Sequence, residues 1–348
     1  MATQPATESD FSLDAAAAVA EQEGSGKQLE GMGPWRLAWR RLKRNRVAMA
    51  SLAVFFVLVA CCIAAPLYAE HIAGRGPTET NATGTIVIDG KKQFVVTPDG
   101  TPIGPGLHKE YLLGADPLGR DVMVRLLYGG RNSLFVGFMA AVITAVLAVG
   151  FGLLSGYIGG FTDGVITNMF DILWSFPVLL FAIALGTALA LGGLHIGPIS
   201  IQGDSLWIPI VIIGVVYVPY FGRPIRGQVL SLREKEFVDA AVAQGMRSPR
   251  IMFGEIMPNL TSTILVFGTL IIANNILLEA ALSFLGAGIQ PPEPSWGGLI
   301  SDGVNQIYTA PHLSLVPGIA IVIAVLSLNV FGDGLRDALD PRAKVRLR

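Results

Sequence analysis

Residues Ser231 to Asn259 read SLREKEFVDAAVAQGMRSPRIMFGEIMPN, the longest polar, charged island between hydrophobic segments in the C-terminal half. Ser231 and Glu234 stand three apart, the pattern of a helix capping box. Helix-favouring residues follow, and Gly245 is placed to end that helix. Ser248 offers a second N-cap, with Pro249 at the first helical position. The spacing predicts a second short helix running towards Met257 and closed by Pro258. The stretch therefore reads as helix, tight turn, helix, lying outside a membrane between two spanning segments.

The membrane follows from composition. Of 348 residues, 52% are hydrophobic and 15% charged, against ~25% charged in a soluble domain. The fold class is an all-α polytopic membrane protein. Six apolar segments are near the ~20 residues a span needs: about Val47 to Tyr68, Ser133 to Gly156, Val165 to Leu191, Leu206 to Phe221, Thr261 to Leu285 and Leu313 to Phe331. Arg223, Arg226, Arg233, Lys235, Arg247 and Arg250 fall in the central polar loop. Arg336, Arg342, Lys344, Arg346 and Arg348 fall in the tail, whereas 192–205 and 286–312 contain no Lys or Arg. The positive-inside rule then puts both termini and Ser231–Asn259 in the cytoplasm. A net charge of −1 gives no signal for nucleic acid. Cys61 and Cys62 are adjacent in an apolar run, so in a helix they point apart and suit neither a metal site nor a disulfide framework.

Ahead of the first span, residues 1–33 are polar and expected to be a disordered cytoplasmic leader. Gly24-Ser25-Gly26-Lys27-Gln28 only faintly imitates a phosphate loop, lacking the first glycine and the hydroxyl residue after Lys. Trp35 to Arg46 carries six basic residues, with Trp35, Trp39 and Leu42 at helical spacing. That pattern is an interfacial helix on an anionic leaflet, making lipid a partner. Residues 34–68 thus form the interfacial helix and first span, and 69–131 an extracytoplasmic loop. Within it, Thr85–Ile88 and Gln93–Val96 flank Asp89-Gly90, a β-hairpin signal. An isolated hairpin is marginal, so it should pack on something. Residues 132–335 form the spanning core, with the cytoplasmic loop at 223–260 and the tail at 336–348.

Four stretches resemble one family in order. Asp239-Ala240-Ala241, three residues, then Gly245 resembles the "EAA" loop of ABC-transporter permease subunits, usually Glu-Ala-Ala-x-x-x-Gly with a later His-x-Leu-Pro-Asn. Here Asp239 replaces the Glu, Glu255 stands where His is usual, Met257 replaces the Leu, and Gly245, Pro258 and Asn259 keep their places. Leu113-Gly-Ala-Asp-Pro-Leu-Gly-Arg-Asp121, with Ala115 in place of Thr, resembles the segment before the second helix in dipeptide, oligopeptide and nickel permeases. Glu279-Ala-Ala-Leu-Ser-Phe-Leu-Gly286 with Pro291 to Gly297, and the ending Gly332 to Pro341, resemble the same group. The resemblance is to the C-type subunit. It implies a type I ABC importer permease fold in a bacterial plasma membrane. It also implies a second, homologous permease subunit, two ATPase subunits and an extracytoplasmic binding protein. In that family the EAA loop docks in a groove of the ATPase, so Glu236, Asp239, Ala240, Ala241, Gly245, Glu255, Pro258 and Asn259 are the expected coupling residues. The physics suits that role, since alanines permit close approach and a glycine permits the turn. No Walker A motif occurs, so ATP and Mg²⁺ are expected in the partner subunits, with no cofactor, no metal and no catalytic residue in this chain.

Polar residues inside spans are costly and mark function or helix packing. Asp171 lies in the third segment; Asn274, Asn275 and Glu279 lie in the fifth. They are candidates for lining a pathway or, for the asparagines, for interhelical hydrogen bonds. Glu279, counted ~27 Å along its segment at 1.5 Å per residue, falls near the outer face and need not be deeply buried. Arg120, Arg125 and Arg131 sit on the outer side against the positive-inside rule, with Asp116 and Asp121 as candidate partners. The expected function is half of the translocation path of an ATP-driven importer of di- or oligopeptides. The alternative is a stand-alone secondary transporter or channel, which would need no docking loop and would usually carry internal repeats or broken helices with ion ligands.

Overall fold

A computed structural model of the chain describes residues 34–88, 90–106, 110–197 and 199–340. The leader 1–33, the hairpin's Asp89 and the tail beyond Asp340 lie outside the described residues.

The helices are α1 (Pro34–Arg44), α2 (Arg46–Ile63), α3 (Ala65–Tyr68), α4 (Val122–Ile158), α5 (Gly160–Ser175), α6 (Val178–Gly192), α7 (Trp207–Val216), α8 (Val218–Arg233), α9 (Glu236–Ala243), α10 (Ser248–Ile251), α11 (Met257–Phe284), α12 (Trp296–Val304) and α13 (His312–Leu339). Two single π-helical turns, Ala69–Ala73 and Met252–Ile256, extend α3 and lead into α11. Two antiparallel hairpins complete the fold: β1 (Thr85–Ile88) with β2 (Lys91–Phe94), and β3 (Leu194–Ile196) with β4 (Ile199–Ile201).

Among the described residues, four continuous helices are long and apolar enough to cross a membrane, and two bent pairs bring the number of candidate spans to six. The expected third span is not one straight helix. It begins at Gly160 and breaks between α5 and α6 with an 85° bend. Pro177 lacks an N–H and forces the preceding residue out of the helical region, and Phe176 is accordingly extended at φ −98°, ψ 144°. The fourth bends by 40° between α7 and α8 and runs on to Arg233, well past Phe221.

Helix α4 is the centre of the bundle. Its 37 residues make ~55 Å at 1.5 Å per residue, so it outruns ~30 Å of hydrocarbon. Glycines let its neighbours approach closely. A Cβ on Gly152 would fall 2.6 Å from Ile225 Cγ2, one on Gly156 2.7 Å from Val229 Cβ, and one on Gly137 2.5 Å from Ile276 Cγ1. The first two hold α8 and the third α11, the small-residue packing expected where lipid supplies no hydrophobic drive between helices. The main core joins Leu153, Phe170, Phe221, Ile225, Val229, Ile256 and Leu260. Helix α1 lies against the far end of α13, with Leu42 and Ala48 packed on Ala338, and Asn45 caps α2 by accepting from Ala48 N at 3.1 Å.

The predicted β1–β2 hairpin exists, but its second strand is Lys91–Phe94 rather than Gln93–Val96, because the register pairs Ile88 with Lys91 across a two-residue turn. It does pack: Ile86 and Val95 share a small core with Tyr111 and Ala115. The β3–β4 hairpin and α12 form within the two stretches between spans, 192–205 and 286–312, that contain no Lys or Arg.

Candidate functional site

The polar island forms a compact helical hairpin, with boundaries that differ from the capping reading. Ser231 is inside α8, which runs to Arg233; α9 starts at Glu236 with Lys235 as its N-cap. Ser248 and Pro249 are both inside α10, whose cap is Arg247. Pro258 closes nothing. The π turn Met252–Ile256 precedes it, and the chain continues straight into α11 with Pro258 in its first turn, where a missing N–H costs little. Asn259 Nδ2 donates to Glu255 O at 2.7 Å, so those two residues brace the join.

Gly245 sits where the pattern placed it. Its φ is +77°. Its N–H donates to Val242 O at 2.9 Å and Met246 N–H to Ala241 O at 3.1 Å, the paired bonds of a Schellman motif. The turn throws α10 back, and Val238, Ala241, Ile251 and Ile256 are buried into the main core. Ala241 therefore faces the chain's own interior, and of the two alanines only Ala240 lies on the open face. Glu236, Asp239, Pro258 and Asn259 are exposed and Glu255 is half-buried. Phe237, Val242, Phe253 and Met257 are exposed among them. Exposed apolar side chains on a polar hairpin are what a protein partner or lipid would cover.

At the other end of the bundle, the Gly-Ala-Asp-Pro-Leu-Gly-Arg-Asp segment builds a buried ionic knot. Asp116 Oδ1 accepts from Leu118 N at 2.9 Å and Arg120 N at 3.0 Å. Its Oδ2 accepts from Arg120 Nε at 2.6 Å and Arg125 Nη1 at 2.5 Å. Arg125 also reaches Asp302 of α12 at 3.1 Å. Asp116 thus pairs both arginines, whereas Asp121 does something else. It caps α4 through Val124 N at 3.1 Å and holds Tyr111 N at 3.0 Å, fixing Tyr111 at φ 59°. Burial pushes the Asp121 carboxyl above the usual carboxylate range, opposed by those two N–H donors.

The intramembrane candidates separate. Asn275 is fully buried, and in its bonded orientation its amide accepts from Ala141 N at 2.9 Å and donates to Ile271 O at 3.3 Å, tying α11 to α4. Asn274 is half-buried. Glu279 is fully buried inside the protein, although its place near the end of the segment left it free to be exposed. The turn after α11 folds back over it, with Ser283 Oγ donating to Glu279 at 2.7 Å and Ile289 N donating to Ser283 Oγ at 3.0 Å. Asp171 is exposed and pairs with Arg223 at 2.7 Å. The sequence reading missed Asp163, which takes Arg226 through two 2.6 Å bonds; an acid opening one span and a base near the end of another was the available signal.

A family model described as binding-protein-dependent transport system inner membrane component matches residues 148–345. A second, described as the N-terminal TM domain of oligopeptide transport permease C, matches 33–82. The chain is 39% identical over 317 residues to the dipeptide transport system permease protein DppC of Alkalihalophilus pseudofirmus, covering 91% of this chain and 93% of that one. It is 34% identical over 311 residues to the glutathione transport system permease protein GsiD of Pectobacterium atrosepticum, covering 89% and 92%. It is 35% identical over 315 residues to the oligopeptide transport system permease protein OppC of Haemophilus influenzae, covering 90% and 91%. Among solved structures it is similar in fold to a chain of the inward-facing MetNI methionine ABC transporter, with TM-score 0.50 and 17% identity over 63% of this chain and 97% of that one.

Proposed function

The chain belongs to the family of binding-protein-dependent transport system inner membrane components, and from that premise we propose that it forms half of the translocation path of an ATP-driven importer of di- or oligopeptides. The observation that carries the coupling part of the reading is the Schellman-capped α9. Its Val238 and Ala241 fasten it to the main core, while Phe237, Asp239, Ala240 and Val242 face out. An ATPase groove that grips this face can push on the bundle through α8 and α11. A second permease subunit supplies the other half of the path. Two ATPase subunits use ATP and Mg²⁺, and an extracytoplasmic protein delivers the peptide. The α9 end, which also carries the basic α1, faces the cytoplasm; β1–β2 and α12 face outward, and the tail at 336–348 is cytoplasmic. ATP-driven closure of the ATPases then moves the hairpin and opens the path outwards by rigid-body rocking.

Affinity purification of the tagged chain from native membranes in mild detergent tests the assembly. The expected companions are a second six-span permease and Walker-motif ATPases. Recovery alone or as a homo-oligomer, under conditions that preserve a known ABC importer, would favour the stand-alone transporter instead.

The β1–β2 hairpin is proposed to help seat the binding protein. Thr85, Val87, Lys92 and Phe94 share its exposed face, so Val87→Glu with Phe94→Glu alters that face and spares the Ile86–Val95 core. The expected result is a binding-protein affinity lowered by about tenfold, or ~1.4 kcal/mol. Unchanged affinity and uptake, there and on deletion of 85–96, would remove the idea.

A further inference from the structure

Helices α5 and α8 pack side by side, sealed by Ile166 and Phe170 from one and Phe221, Ile225 and Val229 from the other. The side of α5 turned away from this seal is open, and it is divided. Phe161, Val165 and Ile172 make an exposed apolar stripe. Between that stripe and α8 runs a second line, Gly164, Asn168, Asp171 and Ser175, also exposed and spaced four, three and four residues apart so that they share one helix face. Asp171 stands about 17 Å along α5 from Gly160 at 1.5 Å per residue. That places it within the bent α5–α6 candidate span, above the coupling-hairpin end where Gly159 lies beside Arg233.

At this depth Asp171 Oδ1 accepts from Arg223 Nη2 at 2.7 Å, and both side chains stay open, at 60% and 42% exposure. The Arg223 guanidinium also lies 5.2 Å from the Trp174 ring centroid. Towards the coupling-hairpin end, eight residues back along α5 and three on along α8, Asp163 and Arg226 form a tighter pair with less exposure. A charged side chain facing acyl chains is costly, up to ~2.5–3.5 kcal/mol at the middle of a span. Acyl chains therefore do not cover this face. What covers it offers hydrogen bonds and countercharge, as water and a solute with charges of both signs do.

We propose that the Asn168–Asp171–Ser175 line, with Arg223 and Trp174, is this chain's wall of the aqueous path, and that a zwitterionic peptide passes by exchanging its ammonium and carboxylate ends for the Asp171–Arg223 pair. The solute class rests on the peptide-importer reading; the placement of the wall rests on the exposed polar line alone. Each end of the peptide meets a group of opposite sign, and the two protein charges close on each other when it has gone. In an empty path the two wall charges then satisfy each other. The half-buried Trp174 ring, faced by Arg223 in this structure, gives the ammonium end a π face when Arg223 swings to the carboxylate.

The test uses the whole assembly in proteoliposomes, with Cys61→Ala and Cys62→Ala as background. Asn168→Cys and Ser175→Cys are exposed to a charged, membrane-impermeant methanethiosulfonate, with Leu326→Cys, exposed on α13, as a lipid-face control. The expected result is modification at 168 and 175 but not 326, slowed severalfold when binding protein, ATP and a dipeptide drive turnover. Absence of modification at both positions, because lipid or a partner helix covers them, would overturn the proposal. Asp171→Asn is expected to lower the maximal uptake of a free dipeptide, at saturating binding protein, by about tenfold; unchanged maximal uptake would overturn the exchange step. Labelled positions in an assembly that imports some other solute and no dipeptide would keep the wall and reject the peptide reading.

Discussion

Gly245→Val is expected to uncouple the importer, cutting uptake by roughly 5–30-fold while the chain still reaches the membrane. Gly245 holds φ +77° and closes α9 through two backbone bonds, so the whole direction of α10 depends on that one residue. A non-glycine residue in the left-handed region costs ~1–2 kcal/mol, a factor of roughly 5–30 in population, and a β-branched one is worse placed to adopt it. The effect is backbone strain rather than a clash, because a Cβ built at this position meets nothing within 4 Å. That distinction sets an order. Gly245→Asn should retain most uptake, since Asn tolerates the conformation, Gly245→Ala should lose some, and Gly245→Val should lose most. The measurement is peptide uptake at matched expression, alongside ATP hydrolysis by the purified assembly. Normal uptake by the valine variant at normal expression would sink the coupling reading of this turn.

Gly245 was legible because a positive-φ turn after a short helix leaves a local signature. The spans were legible because hydrocarbon thickness imposes a length. Other features depended on what lies beside them. The Ser231–Glu234 spacing suits a cap, but α8 arrives there already formed and keeps its hydrogen-bond ladder to Arg233. Pro258 looks like a stop, but a π turn ahead of it sets it in the first turn of a new segment. Pro177 is the opposite case: its effect on Phe176 is local chemistry, visible in the sequence and passed over in favour of an unbroken apolar run. Glu279 could not be placed by counting along one helix. Its burial comes from a return of the chain, in which Gly297 lies against Ala280 so closely that a Cβ there would fall 2.1 Å from Ala280 O. Asp171 was legible as costly, but its partner Arg223 was not, since nothing local to α5 says which residue of α8 faces it.

Arg120 and Arg125, which the topology reading places on the outer side against the positive-inside rule, lead to the largest stability effect expected here. Asp116 is the hub of the knot, with its side chain 5% exposed and that of Arg125 6% exposed. Asp116→Ala removes the acceptor for two backbone N–H groups and two guanidinium groups at once. It leaves Arg125 buried, with only the half-exposed Asp302 in reach. Breaking a buried pair in this way costs ~3–5 kcal/mol, because the stranded charge stays desolvated. Arg125→Met should cost less. The apolar side chain fills the site and strands no cation, while Asp116 keeps Arg120 at 2.6 Å. Asp116→Asn should fall between, retaining an acceptor for Leu118 and Arg120 N–H but losing the charge. Thermal unfolding of the three variants in detergent, compared at one pH, reads the order directly. If Asp116→Ala proves no worse than Arg125→Met, the knot is a surface feature of little weight. If the order holds, the positive charge of Arg120 and Arg125 is tolerated because Asp116 neutralises it from within, and the Gly-Ala-Asp-Pro-Leu-Gly-Arg-Asp segment is there to clamp the head of α4 to α12.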